Sequence, residues 1–216
     1  MTRTVTRLFD DYKDALAAVR ALEQADFDPN MISLVANNVE GRHAEKKSFS
    51  PLDREARGTE GKHADAADDA VMGAGAGAVL GGGAGLLAGL GMLALPGIGP
   101  AVAAGWLATT ALGAVAGAAV GGAAGGLIGA LTHAGHTEEE AHVYAEGVRR
   151  GGALVSIRVA DDAVPTVEGI MSRHHGVDAA ERGRAYREAG WSGRFDEKAP
   201  AYSREQIERE RGMFGR

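Results

Sequence analysis

Residues 70–132 read AVMGAGAGAVLGGGAGLLAGLGMLALPGIGPAVAAGWLATTALGAVAGAAVGGAAGGLIGALT, and not one of them is charged. The run is broken once, at Pro96-Gly97-Ile98-Gly99-Pro100. Two prolines and two glycines there end one helix and redirect the next. Glycine recurs every fourth residue on each side. Gly73, Gly77, Gly81, Gly85 and Gly89 form one row; Gly113, Gly117, Gly121, Gly125 and Gly129 form the other. Positions four apart share a helix face. Each row therefore carves a groove in which another helix approaches to backbone contact. The spacing predicts two helices, over 72–95 and 101–132, folded into a hairpin about Pro96, Gly97, Gly99 and Pro100.

The cost of such helices points to their surroundings. Each interior glycine disfavours a helix by roughly 1 kcal/mol against alanine, so five per helix need strong outside support. A bilayer supplies it, because an apolar medium makes internal backbone hydrogen bonding obligatory; a tight oligomer core does the same. Helices over 72–95 and 101–132 would extend roughly 36 and 48 Å, against a hydrocarbon core of about 30 Å. The second must tilt, break or protrude. Arg54, Arg57 and Lys62 precede the run and Arg149 and Arg150 follow it, while the turn has no charge. The positive-inside bias then puts both termini in the cytoplasm, at an inner membrane. Trp106, near the turn, would mark the far interface.

The flanks have a different grammar. Thr4–Phe9 is β-rich, and Asp10 or Asp11 is placed to cap a helix whose face carries Tyr12, Leu16, Val19 and Leu22. Asp28-Pro29-Asn30 signals a turn before a second strand, Met31–Ala36. Beyond the run, Thr137 and Glu140 make a capping box for a helix with Ala141, Tyr144 and Val148 on its apolar face. Arg149 and Arg150 suit its last turn, and Gly151 its left-handed stop. Leu154–Val159 alternates like a half-buried strand. Asp161 or Asp162 then opens a helix with Pro165 in its first turn and Val167, Ile170 and Met171 inward. Gly176 closes it, and Val177–Ala180 suits an edge strand. The expected fold is α+β: ferredoxin-like βαβ halves, a four-stranded antiparallel sheet with helices on one face, split by the inserted Gly/Ala-rich helical hairpin. The organisation is a first βαβ half (1–40), a charged linker (41–69), the glycine-zipper hairpin (70–132), a helix plus the second half (133–183) and a polar tail (184–216). In that tail Trp191, Phe195 and Tyr202 stand apart. They suit a mobile tail or a protein-docking segment.

Composition narrows the chemistry. Of 216 residues 33 are glycine and none is cysteine, which removes disulfides, thiolate metal sites and thiol nucleophiles. A formal net charge of −6 disfavours nucleic acid as a partner. The N-terminus has no apolar stretch of the kind a cleaved secretory signal needs. Gly73-Ala74-Gly75-Ala76-Gly77 lacks the preceding strand and later acidic residue of a dinucleotide loop, and Gly58–Lys62 lacks P-loop spacing. His133, His136 and His142 with Glu139 or Glu140 form the best ligand set, but Gly135 interrupts the helical spacing a metal would need. His174-His175 suits a helix end. No catalytic constellation, metal or cofactor is expected.

Taken in order, PGIGP at 96–100, AAGGLIGAL at 123–131, TEEEAHVYAEGVRRGG at 137–152 and ALVSIRV at 153–159 behind a βαβ start make a recognisable series. It resembles the bacterial general-stress and low-temperature-induced protein family over about residues 4–182. That resemblance implies stress-linked expression and membrane association, and it supplies no catalytic residues. The expected function is therefore non-enzymatic: homo-oligomerisation through the hairpin in a lipid membrane, beneath a cytoplasmic ferredoxin-like domain. The alternative is a soluble, cytoplasmic oligomeric interaction or sensor module with the hairpin as its buried core.

Overall fold

The computed structural model describes residues 2–41, 91–108, 110 and 126–214. Strand β1 (Thr2–Phe9) leads into α1 (Tyr12–Gln24). The Asp11 carboxylate caps α1 by accepting from Lys13 N, satisfying one of the free N-terminal donors. Ala15, Ala18, Val19 and Leu22 fall on one helical face and are buried. A 3-10 turn at Pro29–Met31, capped by Asp28, turns the chain into β2 (Ile32–Asn37). Further along the chain come α2 (Gly126–His133), at the end of the long run, then α3 (Glu138–Arg149), β5 (Ala153–Ala160), α4 (Val164–Arg173), α5 (Ala179–Glu188) and α6 (Arg204–Phe214).

Between β2 and α2 lie two more strands, β3 (Gly91–Leu95) and β4 (Gly99–Gly105). Here the sequence expectation is overturned. The helices expected over 72–95 and 101–132 would both have to include residues that are strand, and PGIGP joins strands rather than helices. Pro96 and Gly97 take the two central positions of a turn closed by Ile98 N donating to Leu95 O at 3.1 Å. Proline at the first position presets φ, and Gly97, at φ +70°, supplies the left-handed second position of a type II turn. Leu95 then pairs with Gly99, and the ladder runs back to Gly91 opposite Ala103.

All strands join one antiparallel sheet in the order β1-β5-β2-β4-β3. β1 and β2 both run antiparallel to β5, which lies between them, so they are parallel to each other. Helices cover both faces, not one. Val5, Phe9, Ile32, Leu34, Val155 and Ile157 pack with α1 and α4; Leu8, Val35 and Leu154 pack with residues of α2, α3 and α5. This is why β2 is buried at every position and β5 at nearly every one, where alternation had suggested half-burial.

Several smaller expectations also shift. Neither Asp161 nor Asp162 caps α4, whose N-terminus has no side-chain cap; these residues form a separate 3-10 turn. His175, not Gly176, takes the left-handed conformation after α4. The edge strand expected at 177–180 shrinks to one residue. Val177 exchanges both backbone bonds with Leu8, and Asp178 already caps α5.

Candidate functional site

The glycines at 73, 77, 81, 85, 89, 113, 117, 121 and 125 lie outside the described residues. Gly129 lies within α2. Of the expected hairpin-turn residues, Pro96 and Gly97 form the β3–β4 turn and Gly99 and Pro100 begin β4. The turn does not project away from the domain. A Cβ on Gly97 would lie 2.9 Å from both Asp196 O and Phe195 Cζ, and one on Gly99 would lie 2.9 Å from Ala201 Cβ. The C-terminal segment is seated directly on it. Trp106 is likewise no distal anchor: its Nε1 donates to Met31 O at 3.0 Å, and the Arg158 guanidinium stacks 3.7 Å above its ring.

The C-terminal segment, expected to be mobile or to dock elsewhere, is taken up by the domain. Phe195 and Ile207 are buried, Trp191 packs edge-on to Tyr186, and Tyr202 lies under Arg149. Its attachment centres on an ionic cluster. Glu146, 1% exposed, meets Arg150 Nε at 2.8 Å and Arg149 at 3.5 Å. Arg150 reaches Glu210 of α6 at 2.7 Å and lies 4.3 Å from the Tyr186 ring centre. Arg182 meets Asp10 at 2.6 Å, and Arg211 meets Glu40 at 3.0 Å. Burial works against the Arg150 charge, but Glu146 and Glu210 outweigh it and hold its pKa above the ordinary value. Burial also pushes the Tyr186 hydroxyl up, against the pull of Arg182 and Arg150. A small cleft lies between Asp10, Arg150, Tyr186, Glu210 and Phe214, with room for little more than water among these side chains. Each cation here already faces a carboxylate, so the cluster holds α6 in place and does not present a free charge.

A second cluster has the order of a hydrolytic relay. Thr6 Oγ1 lies 2.7 Å from His136 Nε2 and donates to Ser156 Oγ at 2.9 Å, while His136 Nδ1 lies 3.6 Å from Glu140. Thr6 has one hydroxyl proton, so with that proton on Ser156 the imidazole donates through Nε2. Tyr144 donates to Thr6 O at 2.9 Å, and burial raises its hydroxyl pKa. Access decides against surface chemistry here: Thr6 is 1% exposed and Ser156 0%. What the cluster does is tie the sheet to α3 through the Tyr144 hydroxyl on Thr6 O, beside the capping box in which Glu140 accepts from Thr137 N. Desolvation lowers the His136 pKa below 6.5; Glu140 opposes that shift and Arg7 adds to it. A depressed folded-state pKa means the unfolded chain binds the proton more readily. The neutral imidazole thus contributes stability above pH 6.5 that is lost as pH falls below it. Urea titrations at pH 8 to 5 should show a decline below 6.5 that is visibly flatter in His136→Gln; parallel curves would remove His136 from the pH response.

Two other histidines point elsewhere. His142 Nδ1 accepts from Phe195 N at 3.2 Å, and His175 Nδ1 faces Asp14 at 3.1 Å. No three His, Asp or Glu side chains converge as metal ligands among the described residues. No helix among them is long and apolar enough to cross a membrane. The contacts that complete the buried relay and the ionic cluster, Thr6 with His136 and Ser156 and Arg150 with Glu210, escaped sequence reading because they join residues more than fifty positions apart; His136–Glu140 and Glu146 with Arg149 and Arg150, three or four positions apart, had a local signal. Set against known proteins, the chain matches no family model, no curated protein and no solved structure.

Proposed function

We propose that the protein is a non-catalytic, self-associating module. In this reading a ferredoxin-like domain carries two glycine-rich segments that pack against each other and against those of other copies. The observation that supports it is the β3–β4 hairpin. Gly91 stands opposite Ala103, so the segment ending at residue 90 and the one leaving after Gly105 join the sheet side by side at one end. The flanking order Val177-β1-β5-β2, with two helices on one face, supports the ferredoxin-like assignment.

A cytoplasmic oligomer is favoured over a membrane-spanning hairpin by the ends of the second segment. Leu107 and Leu127 flank residues 109–125 and lie in one core. A single bilayer crossing between them would place them on opposite sides. The uncharged length of 70–132 and the resemblance to general-stress proteins keep membrane association as the second reading, with stress-linked expression common to both. The deciding experiment is cell fractionation with a carbonate wash, followed by mass measurement of the released particle. Recovery of a large particle from the cytosol, reduced to smaller species by Gly81→Leu or Gly121→Leu and unaltered by Asp14→Ala, supports the proposal. Retention in the washed membrane overturns the soluble assignment, and unaltered assembly of both glycine variants overturns the role of the rows.

A further inference from the structure

The two edges of the sheet are built differently. The outer edge of β1 is partly closed by the Leu8–Val177 bridge, and the strand carries Arg3 and Arg7. Arg3 pairs with Asp161 and Arg7 with Glu168. Charges on an edge strand, and a short segment covering it, keep other chains from adding to it. Among the described residues β3 has neither device. Among the described residues no strand lies beyond it, and its sequence GMLAL holds no charge and no proline. Met92 is 67% exposed and Ala94 is exposed beside it. An open edge of apolar residues presents backbone donors and acceptors to any strand that can align with it.

Charge and symmetry select the occupant. The chain carries a net charge of −6, yet residues 91–105 contribute none of it. This is an edge at which two copies meet without like-charge repulsion. An antiparallel pair about a two-fold axis at position 93 sets 91 opposite 95, 92 opposite 94 and 93 opposite itself. The exposed Met92 then lies across the small Ala94 of the second copy. Such a large-on-small pair fills the cross-strand space, and methionine adapts to it readily. Pairing β3 with the charged, bridged edge of β1 would instead leave an open chain of copies; the two-fold arrangement closes.

We propose that β3 is a homodimer interface: β3 of one copy pairs antiparallel with β3 of another, joining the two sheets into one. The partner is a second copy of this chain, and the proposal deepens the self-association reading by giving it a surface on the folded domain. Because the chain has no cysteine, a single introduced thiol reports the geometry cleanly. Opposed residues of an antiparallel pair have Cα atoms about 4.5–5.5 Å apart, inside the roughly 4.4–6.8 Å that a disulfide spans. Under mild oxidation of the full-length protein, Leu93→Cys should run mostly as a covalent dimer. Met213→Cys, a thiol on α6 where the native methionine is 63% exposed, should stay mostly monomeric. Ala94→Lys, which places a charge at the interface while leaving the monomer's exposed surface intact, should suppress the Leu93→Cys crosslink at least tenfold. It should also speed amide exchange at 91–95 at high protein concentration.

The proposal is overturned if Leu93→Cys crosslinks no faster than Met213→Cys. Slow amide exchange at 91–95 that does not vary with concentration would also overturn it, because a segment of the same chain would then cover the edge. The glycine rows fail separately: normal assembly of Gly81→Leu and Gly121→Leu with an intact Leu93→Cys crosslink removes the rows and leaves the β3 dimer standing.

Discussion

Gly147→Val is expected to destabilise the protein by about 3 kcal/mol or more, and Gly147→Ala by roughly 2, in the range of core overpacking. The sign runs against local preference, because alanine is a better helix former than glycine by about 1 kcal/mol. The clash arises in three dimensions. α3 crosses the sheet so closely that a Cβ on Gly147 would overlap the Leu8 side chain, at 2.7 Å from Cδ1 and 3.1 Å from Cγ. Leu8 is wholly buried among Val35, Leu154 and the α3 residues, so its methyls have nowhere to move. Urea midpoints measure the loss, and a double-mutant cycle identifies its cause. Leu8→Ala alone removes packing worth about 2–5 kcal/mol. Combined with Gly147→Ala it should cost less than the sum by about 1 kcal/mol or more, since the new methyl enters the space vacated. Strict additivity would mean that the two side chains do not compete for that space.

Glu146→Ala has the second large effect, about 3–5 kcal/mol, the usual cost of leaving a buried charge without its partner. Glu146 is 1% exposed and sits beneath both Arg149 and Arg150. Arg150 is in turn the residue that receives Glu210 from α6. Losing Glu146 therefore loosens α6 as well as the core beneath it. Limited proteolysis should cut the connection between α5 and α6 sooner in Glu146→Ala than in the parent. Glu210→Ala removes the outer partner only, leaves Arg150 bonded to Glu146, and should cost roughly 1 kcal/mol. Equal losses in the two variants, or unchanged proteolysis in Glu146→Ala, would show that the cluster does not hold α6.

Local chemistry made much of the framework legible. The Asp11 cap, the Thr137–Glu140 capping box with both of its bonds, and the left-handed Gly151 after α3 all lie where short-range rules put them. So do the inward Val167, Ile170 and Met171 of α4. Each depends on residues within a turn or two, so neighbours in sequence are enough to specify it. The alternation in β5 predicted a strand but underestimated its burial, because covering a second face needs helices more distant in sequence.

PGIGP marks the boundary between what was legible and what was not. Proline and glycine at adjacent positions declare a reversal of direction, and the reversal is there. Whether helices or strands lead into it depends on neighbours that short-range pattern does not name. Ala, Gly and Leu at 91–105 have little β preference of their own, and glycine recurs every fourth residue in the stretches on both sides of them. β4 becomes a strand because β2 offers it an edge, with Ser33 donating to Ala104 O at 2.8 Å and accepting from Leu107 N at 3.2 Å. Its small side chains suit a strand covered on both faces. The sequence by itself determined the caps, the turns, the buried helix faces and the place where the chain doubles back, because each is a contest among adjacent residues. Tertiary structure alone decided that the doubling-back is a β-ladder, that Gly147 must lack a side chain, and that the tail's aromatics and ions lock onto α3 and α5. In those cases the competing states differ only in the distant partners that satisfy the same backbone and the same charges.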